Sequence, residues 1–167
     1  KAKSGLAIVR HYGLNENEMN DNNDPVLGYF VADVERAGPY CMISEARAFA
    51  NGDPRFIGYL SGNSFNRGFP EYVRKFNAAF LSLPALPSKI QDNAASDPEV
   101  ILRIISTPKN GIYAGIVNTS LSQKNVSVQL PQCQKVIDNV SGKILTLIDG
   151  KITVSMYPGE LRSLKLE

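Results

Sequence analysis

DNVSGKILTLIDGKITVSMYPGELRSLKL, residues 138–166, is the stretch that decides the fold class. Within it, apolar and polar side chains alternate strictly from Ile152 to Met156, which buries one face of a strand and leaves the other in solvent. The dipeptide Asp149-Gly150 precedes this segment and can supply the two positive-φ residues of a tight hairpin. These signals predict antiparallel strands.

The same pattern extends upstream to Asp97 as short apolar segments separated by turn residues. Asn110-Gly111 predicts a second tight hairpin between two of these segments. Strands are predicted at 99–106, 112–118, 126–130, 135–138, 143–148, 152–156 and 161–166. About seven strands in about 70 residues fit a two-sheet β-sandwich over residues 98–167.

Before Asp92 the pattern changes, because apolar strand-like segments alternate with segments of helical period, as is typical of βα units. Strands are predicted at 6–10, 26–31 and 56–60, and helices at 39–50 and 70–83. Asn51-Gly52 is predicted to end the first helix. We therefore expect an α/β segment over residues 1–88 and a linker over 89–97, which makes the chain α+β overall.

Composition and charge exclude several classes of function. The chain has 167 residues, 43% hydrophobic and 20% charged, with a net charge of +2 and one histidine. It has no cluster of Lys and Arg for binding phosphates, no apolar run near the roughly 20 residues that span a bilayer, and no His and Cys spacing for a metal. We expect no nucleic-acid partner, no membrane span, no metal and no cofactor. For Cys41 and Cys133, two buried free thiols are favoured over a disulfide.

Two carboxylates follow the predicted strand at 26–31, within FVADVERAGPY (30–40). Asp33 and Glu35 would lie on the same side of an extended chain, about 6.6 Å apart along it. Glycoside-hydrolysing carboxylates are about 5 to 5.5 Å apart when one is the nucleophile, and about 6.5 to 9.5 Å apart when a water lies between them. The spacing permits acid–base catalysis, and it equally permits ordinary loop charges with Arg36 as an ion-pair partner.

The closing strands resemble a known family in the order of their parts. An aliphatic strand with an asparagine (GIVNTS, 115–120) precedes a strand ending in Leu-Pro (VSVQLP, 126–131), an SGK segment, the DGKITV hairpin and a final YPGELRSLKL strand. This order resembles the β-sandwich that follows the catalytic barrel in glycoside hydrolases of the α-amylase and α-galactosidase kind. EYVRKFNAAFLSLPALPS (71–88) resembles the last barrel helix leading into that sandwich.

The resemblance implies that residues 1–88 are the last βα units of a barrel, whose active site would lie in the loops after the carboxyl ends of the strands. Asp33 and Glu35 are then the catalytic candidates. The substrate-binding candidates are His11, Glu16, Asn63 and Arg67. A complete barrel takes eight βα units and about 250 residues, so three strands cannot close one. An alternative is a small α/β layer packed on the sandwich. No catalytic motif of the family matches residue by residue.

The expected function is that of a C-terminal accessory or structural region of a carbohydrate-active enzyme, inactive in isolation. Its expected partners are carbohydrate or an upstream catalytic barrel, and its expected location is secreted or periplasmic. Asn118, Asn125 and Asn139 each begin an Asn-x-Ser/Thr string, which agrees with export. One alternative is a self-contained sandwich module that binds a glycan or a protein. Another is a small standalone glycosidase that uses Asp33 and Glu35.

Overall fold

The computed structural model describes residues 7–12, 38–54, 56–61 and 71–167. Within these ranges there are two α-helices and ten strands. The helices are α1 (Ile43–Gly52), which continues from a 3-10 turn (Gly38–Met42), and α2 (Glu71–Ser82). The strands are β1 (Ala7–Tyr12), β2 (Phe56–Ser61), β3 (Lys89–Gln91), β4 (Val100–Ser106), β5 (Ile112–Asn118), β6 (Lys124–Gln129), β7 (Val136–Asp138), β8 (Ile144–Leu145), β9 (Lys151–Met156) and β10 (Leu161–Leu166).

The strands form three sheets, which confirm the predicted α+β class. β1 and β2 are a parallel pair. The second sheet has six antiparallel strands in the order β3-β4-β5-β10-β7-β8, and β6 and β9 form an antiparallel pair. The two antiparallel sheets enclose one apolar core and form the sandwich. β3 lies inside the segment predicted as a linker, and the domain boundaries themselves stay a prediction.

The central strands of the six-stranded sheet are buried on both faces, whereas the edge strand β3 is exposed. In β10, Leu164 and Leu166 belong to the core between the two sheets, whereas Leu161 belongs to a second core under α1 and α2. In β9, by contrast, buried and exposed residues alternate from Lys151 to Met156. The layers therefore run in the order helices, six-stranded sheet, two-stranded sheet.

The helices follow the predicted pattern. α2 buries Val73, Phe76 and Phe80, which recur at the three- and four-residue spacing of one helix face. α1 ends at Gly52, as predicted, and the left-handed residue that caps it is Asp53, with φ of 51°. Aspartate is one of the few residues besides glycine that adopt this conformation routinely. Its carboxylate accepts hydrogen bonds from Ser88, which holds Asp53 in place.

Both predicted hairpins form, and the tight turn is confirmed in one of them and wrong in the other. Asp149 and Gly150 have φ of 49° and 73° and form a two-residue turn. The loop from Thr107 to Gly111 has five residues, and only Gly111, at 85°, has positive φ. The Thr107 hydroxyl accepts from the Asn110 amide and donates to the Gly111 carbonyl, in addition to the backbone hydrogen bond from the Thr107 amide to the same carbonyl.

Candidate functional site

β1 and β2 form a parallel pair, the strand arrangement of βα units. The two strands are in register, with Ala7 opposite Phe56 and Tyr12 opposite Ser61. His11 lies one residue before the carboxyl end of β1. Since parallel strands end at the same edge of a sheet, the chain leaves β1 and β2 at a common edge, which is where α/β proteins place their sites.

Of the six candidates predicted from the sequence, His11 alone lies in a described element, the strand β1. The others, Asp33, Glu35, Glu16, Asn63 and Arg67, lie outside the described residues. The catalytic and substrate-binding roles of all six therefore stay predictions.

A buried arginine joins the helices to the sandwich. Arg103, on the face of β4 that carries the helices, is 5% exposed. Its Nη1 donates to the Ala50 carbonyl at 2.6 Å, and its Nε donates to the Ser88 hydroxyl at 2.6 Å. Nη2 lies 3.7 Å from Oδ1 of Asp53. Burial lowers the pKa of the Arg103 guanidinium, and the negative charge of Asp53 opposes that shift. The contacts tie the end of α1 and the residues after α2 to one strand.

Two glycines allow α1 and its leading turn to approach the sandwich closely. A Cβ on Gly115 of β5 would lie 2.5 Å from the ring of Phe49. A Cβ on Gly159, between β9 and β10, would lie 3.1 to 3.3 Å from backbone atoms of Pro39, Met42 and Ile43. Larger residues would hold the two layers apart. We use the term helix–sandwich contact for the packing made by Arg103, Gly115 and Gly159.

The three Asn-x-Ser/Thr strings differ in their surroundings. Asn118 is fully buried, and its Nδ2 donates to the carbonyls of Ser122 and Tyr157 at 2.9 and 3.0 Å. Its amide therefore holds two chain segments and is inaccessible in the folded chain. Asn139 donates to the Ser82 carbonyl at 2.5 Å. Asn125, on β6, is exposed.

An open groove of about 770 Å³ lies between α2 and the sandwich. Residues of α2, of β10 and of the segments 138–141 and 155–160 line it, and polar side chains predominate among them. The polar lining includes Lys75, Gln123, Asp138, Ser155, Tyr157 and Arg162. None of these residues is among the candidates predicted from the sequence. The only local signal is the YPGE turn, which by itself indicates a connection between strands.

Hydrogen bonds fix the orientation of the charged groups in this groove. Glu160 accepts from the Tyr157 amide at 2.9 Å and from Nε of Arg162 at 2.8 Å. Nη2 of Arg162 donates to the Ser155 carbonyl at 2.6 Å. Burial, followed by the charge of Glu160, raises the pKa of Tyr157, so its phenol stays protonated and can donate. The groove therefore presents donors and acceptors at fixed positions.

Within the described ranges, no group of three or more His, Cys, Asp or Glu side chains is arranged to hold a metal ion. Neither helix in the described part of the chain is long and apolar enough to cross a bilayer. Neither Cys41 nor Cys133 forms a disulfide with a described residue. Cys133 is half-buried rather than fully buried as expected, and this burial raises the pKa of its thiol.

Solved structures share this architecture. The protein AmyP in complex with maltose matches with a TM-score of 0.57 and 16% identity, over 82% of this chain and 36% of that one. A family 27 β-L-arabinopyranosidase from Geobacillus stearothermophilus, in complex with arabinose, matches with a TM-score of 0.51 and 12% identity, over 78% of this chain and 31% of that one. A family 30 endoxylanase from Clostridium papyrosolvens matches with a TM-score of 0.51 and 12% identity, over 96% of this chain and 49% of that one. No protein-family model and no curated protein matches the sequence.

The chain has the fold of a glycoside hydrolase region. The resemblance predicted from the closing strands is thereby confirmed for the fold. The chain spans about a third to a half of each solved structure, at 31% to 49% of its length. Enzymes named for different activities share this glycoside hydrolase fold, so the fold alone does not give a substrate.

Proposed function

We propose that the chain is the C-terminal region of a secreted or periplasmic carbohydrate-active enzyme, in which the sandwich supports the last βα units of the catalytic barrel. Carbohydrate is the substrate class of the whole enzyme, and the rest of the barrel is the structural partner. The chain by itself does not hydrolyse glycosides. The helix–sandwich contact is the observation that carries this proposal.

An apolar core shared by the helices and the sandwich favours a supporting role for the sandwich. Phe49 of α1 and Phe76 and Phe80 of α2 are buried in one cluster with Val117 of β5 and Leu161 of β10. Burying one such large apolar side chain contributes about 1.5 to 3 kcal/mol. The apolar faces of both helices therefore pack against each other and against the sandwich.

The parallel pair supports the barrel as partner. Parallel strands occur in sheets that are covered on both faces and contain several strands, because a two-stranded unit is marginal by itself. The sequence predicts one more strand at 26–31, and three strands do not make the eight of a barrel. Catalytic groups on the loops of this segment would need the remaining strands to complete their surroundings.

Turnover by the purified chain is the direct test. The 1–167 chain, incubated with aryl glycosides of several sugars, should give no product above that of buffer. Hydrolysis that is abolished by Asp33→Asn or Glu35→Gln, and is retained by the matched control Asp149→Asn at a hairpin turn, would overturn the proposal. A second test is to determine the coding sequence upstream of Lys1, which should encode further alternating strand and helix segments.

A further inference from the structure

We propose that the groove between α2 and the sandwich binds an uncharged oligosaccharide. Its volume of about 770 Å³ lies within the roughly 300 to 1,000 Å³ typical of ligand sites. The choice of carbohydrate as the ligand class rests on the proposed function. None of the lining residues belongs to the loops predicted to be catalytic, so this site would act beside the reaction centre of the enzyme.

The groove is held open by contacts at its margins. Nδ2 of Asn139 donates to the Ser82 carbonyl at the end of α2 and, at 3.2 Å, to the Ser163 hydroxyl of β10. The rings of Tyr72 and Tyr157 pack edge to face with centroids 5.1 Å apart. These contacts join α2 to the sandwich at separate points, so the site is preformed and binding does not have to order it.

The polar side chains in the groove are oriented by some of their atoms, while other atoms are left for a ligand. Oδ1 of Asp138 accepts from the amides of Val140 and Ser141 at 3.1 and 2.7 Å, and no described group donates to Oδ2. Arg162 uses Nε and Nη2, which leaves Nη1 with no partner among the described residues. Gln123 donates through Nε2 to Ser155, and its Oε1 accepts from no described group. Two acceptors and a donor suit hydroxyl groups, which both donate and accept.

The charges in the groove disfavour an anionic ligand. The ionisable side chains that line it, apart from the tyrosine, are Arg74, Lys75, Arg162, Asp138 and Glu160. Arg162 is paired with Glu160, and Lys75 is paired with Glu71. With Glu71 included, three carboxylates balance the three cations Arg74, Lys75 and Arg162, so a phosphate or a uronate would meet no net positive charge and the Asp138 carboxylate would repel it. An uncharged sugar has no such penalty.

A site-resolved titration tests this proposal on the 1–167 chain. Maltotriose and xylotriose are added to the ¹⁵N-labelled chain while amide chemical shifts are recorded. Binding in the groove should shift the amides of Val140, Ser141 and Tyr157, because they donate to its two carboxylates. Asp138→Asn keeps Oδ1 as an acceptor and should weaken binding about tenfold, the usual effect of losing one charge-assisted hydrogen bond.

The control is Asp149→Asn, which makes the same charge change at the turn before β9. The groove lies at the other end of this strand, so the affinity for the sugar should be unchanged. Shifts confined to residues outside the groove, equal affinity in Asp138→Asn, or no shift at about 10 mM of either sugar would each overturn the proposal. Tighter binding of trigalacturonate would overturn the assignment to an uncharged ligand. The amide map does not depend on turnover, so its failure is distinguishable from that of the proposed function.

Discussion

Replacement of Gly159 by alanine should weaken the contact between the sandwich and the start of α1. Gly159 has φ of 71° and occupies the third position of the turn at residues 157–160, where a Pro-Gly turn requires positive φ. An added Cβ would lie 3.1 Å from C of Met42, 3.2 Å from N of Ile43 and 3.3 Å from O of Pro39. All three are backbone atoms, so no side-chain rotation can relieve the contact.

The expected loss of stability is the sum of two effects. Alanine at positive φ costs about 1 to 2 kcal/mol. Displacing a packed backbone costs about 1 to 3 kcal/mol more. Gly159→Ala should therefore lower the free energy of unfolding by about 2 to 5 kcal/mol. Gly142→Ala is the matched control, because Gly142 has φ of 73° and a Cβ added there would meet nothing within 4 Å beyond its chain neighbours, so it should show only the first cost.

Urea unfolding followed by circular dichroism gives both free energies, and hydrogen exchange locates the change. Gly159→Ala should speed amide exchange in residues 38–52 beyond what its loss of overall stability explains, whereas Gly142→Ala should not. If the two variants lose equal stability, and exchange in residues 38–52 is the same in both, the helix–sandwich contact does not exist as described and the supporting role of the sandwich loses its basis.

Two further predictions concern ionised groups. Arg103→Met should lower the free energy of unfolding by about 3 to 5 kcal/mol, because the Ala50 carbonyl and the Asp53 carboxylate lose their buried partner. In urea unfolding, the double variant Arg103→Met, Asp53→Asn should recover part of this loss. If it recovers none, Arg103 and Asp53 are not paired. The hydrogen bond from Lys124 holds the pKa of Asp97 in the folded chain below its ordinary value of 3.8. The Lys124–Asp97 pair therefore stabilises the folded chain fully above pH 3.8, and this stabilisation is lost as the pH falls through the lowered pKa of Asp97. Carboxyl-detected NMR should show this low pKa, Lys124→Met should raise it, and an unchanged titration would refute the assignment.

The sandwich could be predicted well from the sequence because its signals are local. β5 and β10 have the predicted bounds, Ile112–Asn118 and Leu161–Leu166. Alternation and turn residues act over two to five positions, so they can be recognised without knowing what packs against them. The errors lie in the loop after β4, where the Thr107 hydroxyl accepts from the Asn110 amide, and in the predicted linker, where β3 pairs with β4.

The candidate sites differ in how far sequence could reach them. Asp33 and Glu35 are suggested by their spacing and by a resemblance, and they lie outside the described residues. The groove could not be predicted, because Lys75, Asp138 and Arg162 are separated by dozens of residues and meet only after α2 packs on β10. No periodicity connects positions that far apart.

The sequence by itself determined the class of each half, since periods of two and of three to four residues reflect which face of each element is buried. Only the tertiary structure decided that the central strands of the six-stranded sheet are buried on both faces, and that the Gly159 turn lies against the start of α1. The positive φ of Gly159 is explained locally by its Pro-Gly turn. Its second role, the close approach to α1, depends on the backbone of Met42 and Ile43, more than a hundred residues away. Close approach is a property of two surfaces, and one segment of sequence specifies only one of them.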